Sequence, residues 1–245
     1  MSSIDVIAQN GWTAVPVDAG KLFNGKPYIN KPTPLLVADI KFPSDDPLVA
    51  KVQQYAKEQL PIQTFNHSLR AYYYATAIIK QQFPQYAETI SPSTVALAFL
   101  LHDIGTTDKN LHATHLSFEF HGGILALNLL QEHGGTKNQA EAVCEAIIRH
   151  QDMGTDGTIT LLGQLVQLST LYDNVGEHPH IQNYPEILHK DTRDDVNKHF
   201  PRNGWCSCFG VAIRKEINLK PWCHTTHIPD FDKQVEGNQL MKGYQ

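Results

Sequence analysis

Beyond about residue 46, apolar residues recur every three or four positions, the period of a helix buried along one side. Leu48, Val49, Val52, Tyr55 and Ala56 predict a helix over residues 47–60, which Pro61 interrupts. Ala71, Tyr74, Ala75 and Ile78 predict a second over residues 63–83, stopped by Pro84. In the next segment Ser91 is placed to cap orphan amides and Pro92 to fill the first helical position. Val95, Leu97, Ala98 and Leu101 carry that apolar run to an end near Gly105. The same period predicts helices over 118–130, 138–150 and 160–172, then shorter ones over 191–199, 206–217 and 231–241. No alternation in twos persists long enough to propose a sheet. Before residue 46, Gly11, Pro16, Gly20, Pro27, Pro32 and Pro34 break any period. The chain therefore reads as all-α: an irregular N-terminal segment, residues 1–45, wrapped on a single helical domain, residues 46–245.

Candidate chemistry begins where the 91–105 helix ends, at His102-Asp103. Adjacent side chains on an ideal helix point about 100° apart, so both reach one ion only if the turn loosens, as Gly105 permits. The dipeptide reads equally well as a histidine bonded to a carbonyl beside a surface aspartate. Two further groups change the picture. His67 lies three residues before Arg70 in an earlier predicted helix, and Asp173 directly follows the apolar helix over 160–172. A carboxylate at that end is opposed by the helix field, which gives a nearby cation a physical reason. Asn66 is placed to cap the His67 helix. The polar connection from Thr106 to His115 suits either substrate contacts or a solvated linker, and the linker is the simpler reading for Lys109, Asn110, His112 and His115.

The pattern His67, His102-Asp103, Asp173 resembles the metal-binding signature of the HD-domain superfamily. The resemblance extends further, to the fungal cyanamide hydratases. It is carried by Asn66-His67-Ser68-Leu69-Arg70, His102-Asp103-Ile104-Gly105-Thr106-Thr107-Asp108, Glu145-Ala146-Ile147-Ile148-Arg149-His150, Leu171-Tyr172-Asp173-Asn174-Val175-Gly176, Phe200-Pro201-Arg202 and Lys220-Pro221-Trp222-Cys223-His224-Thr225. Only the first forty or so residues match loosely. The resemblance implies an HD-domain-like helical bundle with a central metal site, in which His67, His102, Asp103 and Asp173 hold one divalent ion per chain. Zinc is the preferred ion, with iron or manganese as alternatives. It also implies a metal-dependent lyase that adds water to the nitrile carbon of cyanamide to give urea. Asp108 and His150 are then the expected proton-handling pair. Asp108 could instead cap a local turn, and His150 could bond a carbonyl or Asp173 at its helix end. Arg70, Arg149 and Arg202 keep open a rival, a phosphohydrolase acting on a nucleotide or small phosphate ester. A noncatalytic metal protein is a third class.

Composition narrows this modestly. The 20 basic against 25 acidic residues give a formal charge of -5, which disfavours nonspecific nucleic-acid binding. No apolar run suits a membrane span and no secretory signal is visible at the N-terminus, so a soluble intracellular protein is expected. Four cysteines in 245 residues are no disulfide framework, and Cys206 and Cys208 lack a second tight pair for a structural zinc. Thirteen histidines favour metal or proton-transfer chemistry. The expected ligand is a small neutral nitrile. A homo-oligomer, a dimer first, is expected from the resemblance, although no coiled-coil heptad supports it.

Overall fold

The computed structural model describes residues 3–245. In chain order the elements are α1 (Ser3–Gln9), β1 (Ala14–Pro16), α2 (Ala19–Leu22), α3 (Pro47–Gln59), α4 (Ile62–Gln82), α5 (Pro84–Ala87), α6 (Pro92–Leu101) and α7 (Asp108–His112). Then follow α8 (Phe118–Glu132), α9 (Lys137–Arg149), β2 (Thr158–Thr160), α10 (Leu161–Asn174), α11 (Lys190–His199), α12 (Trp205–Leu219) and α13 (Phe231–Glu236). The fold is all-α, a helical bundle with one small two-stranded ribbon added.

Helices α4, α6 and α10 are buried along most of their length; α6 is almost wholly apolar, whereas α4 and α10 also bury polar residues, among them Asn66, His67, Arg70, Gln164 and Asp173. A helix as apolar as α6 has no way to sit at a surface, and the buried polar groups of α4 and α10 answer one another inside, as Arg70 does Asp173. The start of α6 is set locally: the Ser91 hydroxyl accepts from the Thr94 amide at 3.3 Å and Pro92 occupies the first turn. Around this centre pack α3, α8, α9 and α11, each with a buried stripe. A smaller apolar cluster joins α12 to α13 through Trp205, Phe209, Ile213, Phe231 and Val235.

Three expectations need correction. The N-terminal segment, read as irregular, carries two short helices and a strand. Val15 lies opposite Ile159 in an antiparallel ribbon, Ala14 opposite Thr160 and Pro16 opposite Thr158. Three-residue strands with a single buried side chain each are too short for alternation to show. The last predicted helix stops at Glu236 rather than reaching Met241, since Gly237 ends it and the chain turns to bury Met241 in the main core. The segment before α3 is held down at separated points: the Ser91 amide donates to Gln9 O, the Gln82 side chain accepts from the Ile29 and Asn30 amides, and Thr192 accepts from the Leu35 amide. No described helix is long and apolar enough to cross a membrane.

Candidate metal centre

The site starts at the end of α6. His102 keeps helical geometry, but Asp103 leaves it, with φ -100° and ψ 11°. This loosened turn brings the neighbouring carboxylate to 3.2 Å from His102 Nε2. The turn that follows is pressed against α8: a Cβ on Gly105 would fall 2.1 Å from the Phe118 carbonyl oxygen. Glycine is required there for close approach; its φ is not positive, so the bend itself, which falls at Asp103, does not demand it. His67 arrives from α4, and its Nε2 lies 3.2 Å from His102 Nε2 and 3.7 Å from Asp103 Oδ2. All three residues are at most 1% exposed.

The proton positions of the two imidazoles follow from their other nitrogens. His102 Nδ1 lies 2.8 Å from the Phe99 carbonyl, so it carries the hydrogen and donates. His67 Nδ1 lies 2.6 Å from Asp173 Oδ2 and donates likewise. Both Nε2 atoms therefore present lone pairs to each other and to Asp103 Oδ2, which is buried and has no hydrogen-bond partner. Lone pairs crowded in this way repel unless a cation stands among them. Ligand atoms ~2.1 Å from a tetrahedral metal sit ~3.4 Å apart, so the observed triangle matches the size that an ion would impose. Two imidazoles and one carboxylate form a donor set suited to zinc, iron or manganese, with positions left for water or substrate. Among the described residues, these are the groups that meet closely enough to hold a metal ion.

Charge states agree with that use. Burial pushes His67 down to about 4, against the pull of Asp173, so it is neutral at ordinary pH, the form able to hold a metal. Burial opposes the charge on Asp103, but His102 and His67 outweigh it and hold the carboxyl at about 2. Burial likewise opposes charge on His102, yet Asp103 and the Phe99 carbonyl outweigh it, so its tendency to bind a cation or proton is raised.

Asp173, the fourth expected ligand, is placed elsewhere by the structure. It lies in the last turn of α10, on the Nδ1 side of His67, away from the converging Nε2 atoms. Arg70 grips it through Nε at 3.0 Å and Nη2 at 2.8 Å, and Arg202 through Nη1 at 2.5 Å. Burial opposes its charge, but the two guanidiniums hold the carboxyl well below the usual range. What the structure shows of it toward the cluster is this bond to His67 Nδ1. Trp205 holds the same ring from its face, with centroids 4.3 Å apart and planes 12° apart. Asn66 is not a cap: it lies inside α4, and its amide donates to Pro201 O at 2.8 Å.

The HD domain family matches residues 64–174, which carry His67, His102, Asp103, His150 and Asp173. The protein named cyanamide hydratase DDI2 of Saccharomyces cerevisiae (strain ATCC 204508 / S288c) is 40% identical over 231 residues, covering 94% of this chain and 96% of that protein. Cyanamide hydratase DDI3 of the same yeast matches to the same extent. The chain belongs to the family of these HD-domain proteins. Its membership and its His/His/Asp cluster together support a metal-dependent hydrolytic or lyase activity.

The other expected site residues of this HD-domain chain divide. His150 caps the C-terminus of α9 beside the centre, with its ring 5.5 Å from that of His102. Its Nδ1 donates to Ile147 O at 2.6 Å, leaving Nε2 as an acceptor, and burial, then His102, lowers its pKa. It is bonded to a carbonyl and not to Asp173. Asp108 is not brought to the cluster. Thr107 caps a new helix, α7, which carries the Asp108 carboxylate outward; it is 72% exposed and paired with Lys215. Lys109, His112 and His115 are exposed as well. A pair that sequence reasoning missed is the buried Glu119 with the half-buried His224, at 2.7 Å, on the α8 side of the centre. The signal available was an acid inside the apolar run Phe118-Glu119-Phe120, three residues before the Gly122 that packs on Gly105.

Proposed function

We propose that the protein hydrates cyanamide to urea, as the names of its relatives suggest, with a divalent ion, zinc first, held by His67, His102 and Asp103. The observation that carries this over phosphate-ester hydrolysis is the commitment of the arginines. Arg70 and Arg202 hold Asp173, Arg149 pairs with Asp152 and Glu145, Arg193 donates to Tyr172 and Tyr244, and Arg214 pairs with Asp232 and Glu236. These are all five arginines of the chain. None is left to clamp a phosphate, whose developing charge such enzymes stabilise with guanidiniums or further cations.

A divalent cation bound at this triangle supplies acidity to a water and stabilises negative charge beside it. The residues do the rest. Asp173 and the Phe99 carbonyl fix both imidazoles so that their Nε2 atoms converge. His150, buried and with a free Nε2 lone pair, is the base that takes a proton from water as oxygen bonds to the nitrile carbon, and returns it to the nitrile nitrogen. The resulting isourea passes one proton from oxygen to nitrogen to become urea. The same imidazole can carry it, and no proton is consumed overall.

The test is to assay urea formation from cyanamide beside phosphate release from a panel of nucleotides and phosphate esters. Elemental analysis of the dialysed protein and of His102→Ala accompanies it. We expect urea, negligible phosphate, and about one metal ion per chain that His102→Ala loses. Phosphate release without urea reverses the reading.

A further inference from the structure

The metal centre is sealed, with its three convergent residues at most 1% exposed, so a substrate needs a way in. Two adjoining spaces mark one. The inner space, about 20 Å³, is lined by His150 together with Gln151, Gln167, Thr170 and Asn174. It has room for about one water. The outer space is a cleft of about 370 Å³ whose rim includes the exposed Glu177, Pro179, His227 and Pro229. Met153, Leu171 and Ile228 line both spaces.

We propose that Met153, Leu171 and Ile228 form an apolar gate on the route from this cleft to His150, and that Ile228 limits the size of the molecule that passes. The occupant is a small uncharged nitrile or amide; its identity rests on the function proposed above, while the route does not.

The lining suits neutral molecules. The inner space has no Lys, Arg, Asp or Glu on its wall, so an entering phosphate would shed its hydration without a partner. Its neutral polar groups are tied in place: Gln167 donates to Asp152 O, Thr170 to Val166 O, and Asn174 accepts from Trp205 Nε1 at 2.8 Å. That last bond puts the inner space next to the indole that stacks on His67. Within the gate, Leu171 is fixed on α10 two residues before Asp173. Met153 and Ile228 are half-buried loop residues, and a thioether and a loop isoleucine can shift where a helix cannot. Three heavy atoms in a line can pass with side-chain motion alone; a nucleotide would need the backbone to part.

Two variants of opposite sense test the gate, Ile228→Ala and Ile228→Phe, each checked for native helical content and metal content. Their activity readout is kcat/KM for cyanamide and for the bulkier dimethylcyanamide. We expect Ile228→Ala to raise the ratio of dimethylcyanamide to cyanamide by roughly tenfold, and Ile228→Phe to lower kcat/KM for both. A second readout needs no turnover. With Trp12 and Trp222 replaced by phenylalanine, Trp205 is the one indole left, and its quenching by acrylamide, a neutral amide, should increase in Ile228→Ala and decrease in Ile228→Phe. Quenching and selectivity that ignore residue 228, or that move the same way in both variants, overturn the gate. If cyanamide is untouched even by the unaltered protein, the function falls and quenching alone decides the route.

Discussion

His150 and Asp108, paired by sequence for proton transfer, meet opposite environments. His150 is buried 5.5 Å from His102, whereas Asp108 is 72% exposed against Lys215. Replacing His150 with alanine should therefore lower urea formation by ~10²–10⁴-fold with metal retained. Asp108→Asn should stay within about twofold of the unaltered rate, as suits a surface ion pair. A large loss in Asp108→Asn at full metal occupancy would return that carboxylate to the chemistry. Asp173 gives the second residue-scale expectation. If it orients His67 rather than touching the ion, Asp173→Asn should weaken metal binding by roughly 10–100-fold and still allow full loading at excess metal. The same change leaves two buried guanidiniums without their anion, so unfolding by urea should show a loss of about 3–5 kcal/mol. Stable protein that cannot be loaded at any metal concentration would instead make Asp173 a ligand. The residue types of the cluster were legible in the sequence. What was not legible is which nitrogen each histidine presents, because Phe99 O sets one, and Asp173, 106 residues away, sets the other.

At the scale of elements, the helices that bury a stripe were legible, since three- and four-residue recurrence reports that burial directly; the burial of the polar positions of α4, such as Asn66 and Arg70, was not. Their caps were partly so: Ser91 caps α6 as expected, while Asn66 proved to be an interior residue tying α4 to Pro201. The ribbon of β1 and β2 was not, because its pairing joins residues more than 140 positions apart through one buried side chain on each strand. The contact of most consequence for the site is between α8 and the turn after Asp103. Gly105→Ala would drive a methyl group into the Phe118 carbonyl, a backbone atom that cannot turn aside. We expect a loss of about 3 kcal/mol or more in stability. Metal affinity should fall with it, since the displaced turn carries Asp103. Gly243→Ala, with nothing within 4 Å of the added carbon, is the control. Equal melting temperatures for the two variants would show that α8 yields easily and does not brace the corner.

For the whole molecule, stability against pH offers a test apart from catalysis, through the loop that joins the N-terminal segment to the end of α10. His178 is buried there; its Nδ1 accepts from the His180 amide at 3.1 Å, and its Nε2 has no partner. His180 in turn reaches Asp18 at 3.3 Å, so this loop clasps the segment that wraps the core. Burial first, and then His180, push His178 down to about 4, against the weaker pull of Asp18. An unfolded histidine titrates near 6.5. Between those values the unfolded chain binds the extra proton and the native chain does not, so stability is full above about 6.5 and falls as pH drops toward 4. Each unit is worth ~1.4 kcal/mol, so the loss across the window is on the order of 3 kcal/mol. His67 and His150 are also depressed by their burial, so the contribution of His178 must be separated by difference. Urea denaturation at pH 7 and pH 5 should show a smaller drop for His178→Gln than for the unaltered protein, with His67 common to both. Equal drops would mean that His178 is protonated as easily in the folded chain as in the unfolded one, and that the loop opens to water before the core does.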